Sequence, residues 1–268
     1  MSLNAFFARH AVFTVEELDA FLSHRGSGNT ATRSSLLAYY RKRGRIVSLR
    51  RGLYATVPLG MNPETAPIDP FLVAAKLTED AVLAYHTALE FHGRAYSVHW
   101  TVVYVSAKRS LPMEFRSHEY RRAPVPPPLL RKKEAMFGVI RRRRSGVEVR
   151  VTSHERTLVD VLDRPDLTGE WEEIWRSLES VEFFDLDQVI EYARLLDNAT
   201  TAAKVGFFLQ QHRDDLMVED AHLEALRRMR PRQPHYLVRA SRRDCTWVKD
   251  WNLMVPEQVL NRSWEEMT

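Results

Sequence analysis

The sequence has a single cysteine, Cys245, among its 268 residues. One cysteine cannot form an internal disulfide or supply a zinc site built from several cysteines. The first residues are apolar in places, but Arg9 and His10 interrupt them and no small-residue cleavage site follows, so no secretory signal is expected. These absences predict a cytoplasmic protein, because the cytoplasm is a reducing compartment.

Long apolar runs are also missing. The longest stretch without Asp, Glu, Lys or Arg is 13 residues, 95–107, whereas a membrane-spanning helix needs about 18 or more. There is no internal repeat, and only the proline-rich stretch 124–128 is of low complexity. We expect no membrane partner, and compact folding into one large or two ordinary domains at roughly 150 residues each.

The net charge is small, since 39 basic and 35 acidic residues leave +4. The charge is distributed unevenly along the chain. Two segments are basic: residues 1–60 have 9 basic and 3 acidic residues (net +6), and residues 94–150 have 14 basic and 4 acidic residues (net +10). The other two are acidic: residues 61–93 have 1 basic and 5 acidic residues (net −4), and residues 151–268 have 15 basic and 23 acidic residues (net −8). Residues 31–60 carry seven basic side chains and no carboxylate. A solvated face normally mixes both signs, so this bias favours a nucleic-acid partner. A small basic unit that contacts only protein is the alternative.

Local patterns in the first sixty residues predict a short helix at about 3–8, a second helix and a third at about 30–43. The second starts near Val15 behind a Thr14/Glu17 capping box and ends in a turn at Gly26 and Gly28. A basic hairpin follows, with strands at about 45–49 and 53–57. This order is typical of a winged helix-turn-helix.

The predicted fold class is therefore α+β. An N-terminal winged helix-turn-helix (1–58) is followed by a proline-rich linker (59–70) and a mixed α/β domain (71–268). That last domain is expected to hold a small sheet and a helical C-terminal half.

A winged helix inserts the N-terminal end of its recognition helix into the major groove and lays its wing on flanking DNA. Short hydroxyl side chains suit phosphate contacts, and an arginine can pair with guanine. We therefore predict that the following residues contact DNA: Thr30, Thr32, Arg33, Ser34, Ser35, Arg41, Lys42, Arg43, Arg45, Arg50 and Arg51.

Three motifs carry a likeness to a known family: F-T-V-E-E-L at 13–18, R-I-V-S-L-R-R-G-L-Y-A at 45–55 and V-T-S-H-E-R-T-L-V-D-V-L at 151–162. Through them the chain resembles the antitoxin and transcriptional-regulator component of AbiE-type (abortive infection, type IV) toxin-antitoxin systems. The resemblance implies repression of the protein's own operon through promoter repeats in double-stranded DNA. It also implies neutralisation of a toxin resembling a nucleotidyltransferase, with or without direct contact.

The middle of the chain predicts a sheet of four or so strands. The strongest strand signal is H-W-T-V-V-Y-V-S-A at 99–107, apolar on both alternations as in a strand covered on two faces. Weaker signals lie at about 113–120, 136–142 and 147–151. The basic residues of this region form either a second nucleic-acid surface or a charged sheet edge that discourages edge-to-edge pairing. They are Arg121, Arg122, Arg131, Lys132, Lys133, Arg141, Arg142, Arg143 and Arg144.

The C-terminal part predicts helices at about 171–180, 186–196, 200–211 and 218–229, then a short strand pair ending at Pro256. Its negative charge is either that of solvated helix faces or a docking surface for a basic partner. In the second case Trp247 and Trp251 are candidate anchors.

Catalytic patterns are weak. His86 and Glu90 share a helix face at i, i+4, but His92 lies off that face, so we expect no metal site. Ser153, His154 and Asp160 lack a nucleophile elbow. A metal-dependent nuclease would need clustered carboxylates at a sheet edge, and residues 94–150 contain only four. We predict no catalytic residues and no cofactor; a nucleic-acid-processing enzyme of the nuclease type is the alternative function.

Overall fold

The computed structural model describes residues 2–24, 29–238 and 244–264. The chain divides into two compact units, and neither is continuous in sequence. The first comprises Met1–Leu83, Trp100–Ala123 and Arg141–Arg150, and the second Ala84–His99, Pro124–Ile140 and Val151–Thr268. The division 1–58, 59–70 and 71–268 does not follow these units and stays a prediction. The turn predicted at Gly26 and Gly28 lies outside the described residues.

The N-terminal part of the first unit contains three helices and three strands. They are α1 (Leu3–Arg9), β1 (Val12–Thr14), α2 (Val15–Ser23), α3 (Thr30–Lys42), β2 (Ile46–Arg50) and β3 (Leu53–Thr56). The helices and the hairpin β2–β3 lie where the sequence predicts them. β1 was not predicted, because three residues are too few to show alternation. It pairs antiparallel with β3, with Val12 opposite Ala55, and gives the strand order β1-β3-β2.

Local hydrogen bonds explain where α2 and α3 begin. The Thr14 hydroxyl accepts from the Glu17 amide at 3.3 Å, and the Glu17 carboxylate accepts from the Thr14 amide at 2.9 Å, which completes the predicted capping box. Asn29 caps α3 by accepting from the Thr32 amide at 2.7 Å. The buried core beneath them is formed by Phe6, Phe7, Phe13, Leu18, Leu22 and Ile46. The apolar residues of α3 that pack against this core are themselves only partly buried. Most of the surface of α3 therefore does not contact the core.

A six-stranded sheet, most of it in the first unit, follows the helix α4 (Pro70–Ala75). Its strands are β4 (Val82–Leu83), β5 (Thr101–Ser106), β6 (Met113–Phe115), β7 (His118–Pro124), β8 (Val139–Arg144) and β9 (Val147–Thr152), in the order β6-β7-β5-β4-β9-β8. The prediction of about four strands was too low. The segment 113–120 turns back on itself at Arg116, which has a φ of 53°, and β4 is only two residues long. β5 is buried along both faces from Val102 onward, as predicted.

The second unit is mainly helical. Its helices are α5 (His86–Phe91), α6 (Pro127–Lys132), α7 (His154–Asp163), α8 (Trp171–Glu179), α9 (Leu186–Leu196), α10 (Ala199–Gln211), α11 (Asp220–Arg227) and α12 (Glu257–Leu260), with a 3₁₀ turn at Pro165–Leu167. α6 was not predicted; its prolines belong to the stretch read from the sequence only as one of low complexity. Proline is tolerated in a first helical turn, where the missing N–H would have no partner. None of the described helices is long and apolar enough to cross a bilayer.

Three short strands close the second unit: β10 (His235–Tyr236), β11 (Cys245–Val248) and β12 (Leu253–Pro256), in the order β10-β12-β11. The expectation for Trp251 was wrong, because its side chain is fully buried and cannot anchor a partner. Trp247 is half exposed.

The motif at 151–162 has a structural explanation. Ser153 caps α7 by accepting from the Arg156 amide. Arg156 is 1% exposed; it pairs with Asp160 at 3.2 Å and donates to the carbonyls of Ala135 and Phe137. The Tyr192 hydroxyl donates to the other oxygen of Asp160 at 2.6 Å. Ser153 and Asp160 are thus engaged in a cap and a buried ion pair.

Candidate nucleic-acid interface

The N-terminal end of α3 is the most exposed part of the predicted interface. Thr30, Ser34 and Ser35 are exposed, and Thr32 is half-buried. The first N–H groups of a helix lack intrahelical acceptors and carry partial positive charge, which favours phosphate or another anion. The side chains on this face surround a shallow depression lined by Asn29, Ala31, Thr32, Ser35, Leu36 and Tyr39.

Arg33 lies on a different side of α3. Its Nη1 donates to Asp19 Oδ2 of α2 at 2.5 Å. The guanidinium therefore holds α3 against α2, and its predicted contact with a base requires this pair to open.

The C-terminal end of α3 carries Arg41, Lys42 and Arg43, all exposed. The Arg43 guanidinium lies 4.8 Å from the centre of the Tyr39 ring, a cation–π contact. Tyr39 is 48% exposed, and nothing in the sequence pattern indicated it as an interface residue. An exposed aromatic beside three cations can contact sugar and phosphate, although cations here also complement the helix dipole.

The three arginines of the hairpin region have different roles. Arg45 donates to the Val57 carbonyl, and Arg50 donates to the Leu77 carbonyl and, at 3.2 Å, to the Ser110 hydroxyl. Arg51 is exposed in the turn, beside Gly52 with its φ of 81°. Arg45 and Arg50 therefore fix the hairpin, whereas Arg51 is presented to solvent.

A groove of mixed charge adjoins the hairpin within the first unit. Its charged lining comprises Arg50, Arg51, Lys76, Lys108, Arg109 and Arg150, with Glu16, Glu17, Glu79 and Glu148. Lys76 pairs with Glu17 and Lys108 with Glu79. Lys108 and Arg109 are exposed, and the sequence pattern did not indicate either of them because they lie far from the hairpin along the chain.

The second basic block is distributed over two strands of the sheet and one helix of the second unit. Arg121 and Arg122 lie on β7 and Arg141–Arg144 on the edge strand β8, with β5, β4 and β9 between these strands. Arg131, Lys132 and Lys133 belong to the second unit, where Lys132 donates to the last carbonyls of α9.

Several of these arginines already have partners. Arg122 donates to the Ser106 carbonyl, Arg141 pairs with Glu148 at 3.3 Å, and Arg144 pairs with Asp69. The edge position of β8 is consistent with both predicted roles, nucleic-acid contact and protection against strand pairing.

A buried polar cluster lies in the second unit. His86 Nδ1 is 3.6 Å from Glu90 Oε1, as their i, i+4 spacing suggests. His86 Nε2 lies 3.0 Å from Glu173 Oε1, and the His99 ring stacks on the His86 ring at 3.5 Å. His92 is elsewhere, with its Nε2 2.8 Å from the Thr152 carbonyl oxygen. No sequence spacing indicated the contribution of His99 or Glu173.

The environment of this cluster shifts its pKa values. Burial, and to a smaller extent the neighbouring His99, lowers the pKa of His86 to about 4. Burial raises the pKa of Glu90. Burial also acts to raise the pKa of Glu173, but hydrogen bonds from Ser97 and His86 outweigh it and lower that pKa. His86 is therefore neutral and Glu173 ionised at neutral pH.

An exposed, capped helix start and a basic hairpin turn are elements that DNA-binding regulators use to contact DNA. Residues 1–57 match the family described as "Transcriptional regulator, AbiEi antitoxin". The match confirms, over those residues, the resemblance drawn from the motifs at 13–18 and 45–55. The motif at 151–162 lies outside it.

Two further comparisons concern the whole chain. The crystal structure of the Rv2827c protein from Mycobacterium tuberculosis is similar with a TM-score of 0.64 and 21% identity, over 98% of this chain and 93% of that one. At this identity the similarity shows a common mixed α/β fold and nothing further. No curated protein matches the chain.

Proposed function

We propose that the protein represses its own operon by binding promoter repeats through an N-terminal winged helix-turn-helix, and that it is the antitoxin to a nucleotidyltransferase-like toxin. The observation that carries the first role is the element order α1-β1-α2-α3-β2-β3, which presents an exposed α3 within a segment of seven basic and no acidic residues. The family matched by residues 1–57 supports both a regulatory and an antitoxin role.

In the proposed complex the start of α3 enters the major groove. Thr30, Ser34 and Ser35 are exposed there and contact base edges or phosphates through their hydroxyl groups. Arg33 supports the helix through Asp19. The helix is thus positioned by residues that do not themselves read DNA.

Phosphate contacts surround this reading surface. Arg41, Lys42 and Arg43 contact one strand beside the groove, and Arg51 contacts flanking DNA from the hairpin. Lys108 and Arg109, which line the same groove as Arg51, contact the backbone of that flanking DNA. Arg45 and Arg50 hold the hairpin in place.

The DNA-binding role is tested by fluorescence anisotropy with a duplex from the region upstream of the gene, at several salt concentrations. Arg51→Ala should weaken binding and reduce the slope of log K against log salt by roughly 0.9, the value for one lost phosphate contact. Arg228→Ala, at the arginine directly after α11 whose side chain is 77% exposed, is the matched control and should leave the slope unchanged. Wild-type protein that binds upstream and unrelated duplexes equally would contradict the repressor role.

The antitoxin role needs a separate experiment. Co-expression with the nucleotidyltransferase-like product of the same operon should restore growth that the toxin alone arrests. The Arg51→Ala variant should still restore growth when both genes are expressed from a foreign promoter, because neutralisation does not use the hairpin. Failure of the wild-type chain to restore growth would contradict this role without affecting the DNA-binding result.

A further inference from the structure

We propose that α3 selects its DNA sequence through thymine, with the methyl groups of Ala31 and Ala38 packed against thymine 5-methyl groups in the major groove. This base preference rests on the proposed repressor function and deepens it, because it names the base that the reading helix recognises.

The helix α3 has one packed side and one open side. Three partly buried apolar residues pack against the N-terminal core, namely Leu36, Leu37 and Tyr40. With about 3.6 residues per turn, Ala31, Ser35 and Ala38 lie within about 40° of one line along the opposite side of the helix. All three are exposed. The side of a recognition helix that faces away from its own protein meets the base edges in the major groove.

The first turns of α3 offer little for base-specific hydrogen bonding. The strongest such contacts are Arg or Lys with guanine and Asn or Gln with adenine, each through two hydrogen bonds. Between Asn29 and Ala38, all of which the structure describes, the one arginine is Arg33, and Asp19 holds it at 2.5 Å. The Asn29 side-chain oxygen accepts from the Thr32 amide at 2.7 Å, so it is not available for a two-bond pair with adenine. Serine and threonine hydroxyls remain, and these do not distinguish well between bases.

The side chains that remain on the open side are largely apolar. Ala31 and Ala38 present methyl groups, and the depression beside Ala31 is also lined by Thr32, Leu36 and Tyr39. Among the four bases only thymine places a methyl group in the major groove, and alanine and threonine methyl groups are among its usual protein partners. Alanine is also small enough for the helix to approach the base edges closely. The depression therefore suits a thymine methyl group that leaves water on binding.

The separation of the two alanines predicts where the thymines lie. Ala31 and Ala38 are seven positions apart, which is about 10.5 Å along a helix that rises 1.5 Å per residue. Successive bases of a DNA strand are about 3.4 Å apart along the axis. A helix lying along the groove thus places the two methyl groups about three base steps apart.

The test replaces thymidine by deoxyuridine in the upstream duplex. This change removes the 5-methyl group and leaves the base pairing and the charge of the DNA as they were. Anisotropy titrations with the full-length wild type should show an affinity loss of about fourfold for each contacted thymine, the value for one buried methyl group, and about tenfold or more for both. Single replacements should locate two such thymines about three base steps apart. The slope of log K against log salt should stay unchanged, because the phosphate contacts are the same.

Two variants assign the effect to the alanines. Ala31→Gly and Ala38→Gly should each bind the thymidine duplex less tightly and lose their sensitivity to one of the two replacements. Ala8→Gly, at an exposed alanine of α1, is the matched control and should remain sensitive to both. Circular dichroism and the thermal midpoint must show that each variant is folded; the replacements in the DNA are measured on the wild type and do not depend on the variants.

The outcomes separate this base preference from the repressor role. Preference for the upstream duplex over unrelated DNA, with unchanged affinity for its deoxyuridine form, would overturn the thymine contacts and leave the repressor role intact. Full sensitivity to deoxyuridine in both glycine variants would also overturn them, because another part of the protein would then contact the methyl groups. Equal binding of upstream and unrelated duplexes would contradict the repressor role, and the base preference with it.

Discussion

The guanidinium of Arg50 donates a hydrogen bond to the backbone carbonyl of Leu77, a residue that follows the hairpin by 27 positions. A second bond reaches the Ser110 hydroxyl at 3.2 Å. Both partners lie in the same unit as the hairpin. The adjacent Arg51 is exposed. Two neighbouring arginines that look equivalent in the sequence therefore have different roles.

The first prediction separates these two residues. Arg50→Ala should lower the free energy of unfolding by about 1–3 kcal/mol, because it leaves the Leu77 carbonyl without its charged donor. Arg51→Ala should change stability by less than about 0.5 kcal/mol, as expected for an exposed surface residue. Urea denaturation of both variants measures the difference. Equal stabilities would show that the Arg50 contacts contribute nothing.

The second prediction concerns Gly206 in α10. A Cβ on this glycine would lie 2.1 Å from Cζ3 of Trp251, an impossible approach. Exchange of a mid-helix glycine for alanine usually stabilises by roughly 0.5–1 kcal/mol, but Gly206→Ala should instead destabilise by about 1–3 kcal/mol or more. Thermal and urea denaturation report the sign.

A smaller side chain at position 251 supplies the control for the Gly206 substitution. In a Trp251→Leu background the added methyl group has room, so the cost of Gly206→Ala should shrink markedly in a double-mutant cycle. An unchanged cost would place its cause elsewhere in α10.

The third prediction follows from the buried pair Arg156–Asp160. Asp160→Ala leaves a guanidinium that is 1% exposed without its counter-ion and removes the acceptor of the Tyr192 hydroxyl. The expected loss is about 3–5 kcal/mol. Replacement of both partners by apolar residues, as in Arg156→Met with Asp160→Leu, should recover much of that loss. A double variant as unstable as Asp160→Ala would contradict this account of the motif at 151–162.

The fourth prediction is a pH dependence at Asp80. Burial acts to raise the pKa of this carboxyl, but the Ser106 hydroxyl and the Ala107 amide donate to it at 2.6 and 2.8 Å, and together they lower the pKa below its ordinary value of 3.8. The stabilisation is fully present above that ordinary value and is lost as pH falls through the lower folded pKa. Asp80→Asn should therefore show a smaller loss of stability than the wild type between about pH 4 and pH 2. If the stability of Asp80→Asn falls as much as that of the wild type in that range, Asp80 is not the group responsible for the pH dependence.

Much of the N-terminal part could be predicted because its signals are local. The Thr14/Glu17 capping box and the two strands of the basic hairpin each involve residues within a few positions of one another. The strand β1 was not predicted, because three residues cannot show a hydrophobic period and because its formation depends on pairing with β3.

The features that the sequence did not show are contacts between distant segments. His86 and Glu173 are 87 positions apart, and Gly206 meets Trp251 only after the last strands have folded back onto α10. Arg33, Arg45 and Arg50 count as basic residues in any charge profile, yet each has a partner that removes it from the exposed set. A charge excess could locate the candidate interface, but only the folded structure could show which of its cations are presented to solvent.

The most direct test of DNA reading by α3 compares the wild type with Asn29→Asp. Aspartate caps a helix as well as asparagine and suits the positive end of its dipole, so folding stability should be unchanged or slightly higher. The same substitution places a carboxylate at the exposed start of α3, where the proposed complex holds DNA. Anisotropy titrations with the upstream duplex should therefore show at least about a tenfold loss of affinity, equivalent to 1.4 kcal/mol, at an unchanged thermal midpoint. Wild-type affinity in the Asn29→Asp protein would show that α3 does not enter the groove by its N-terminal end.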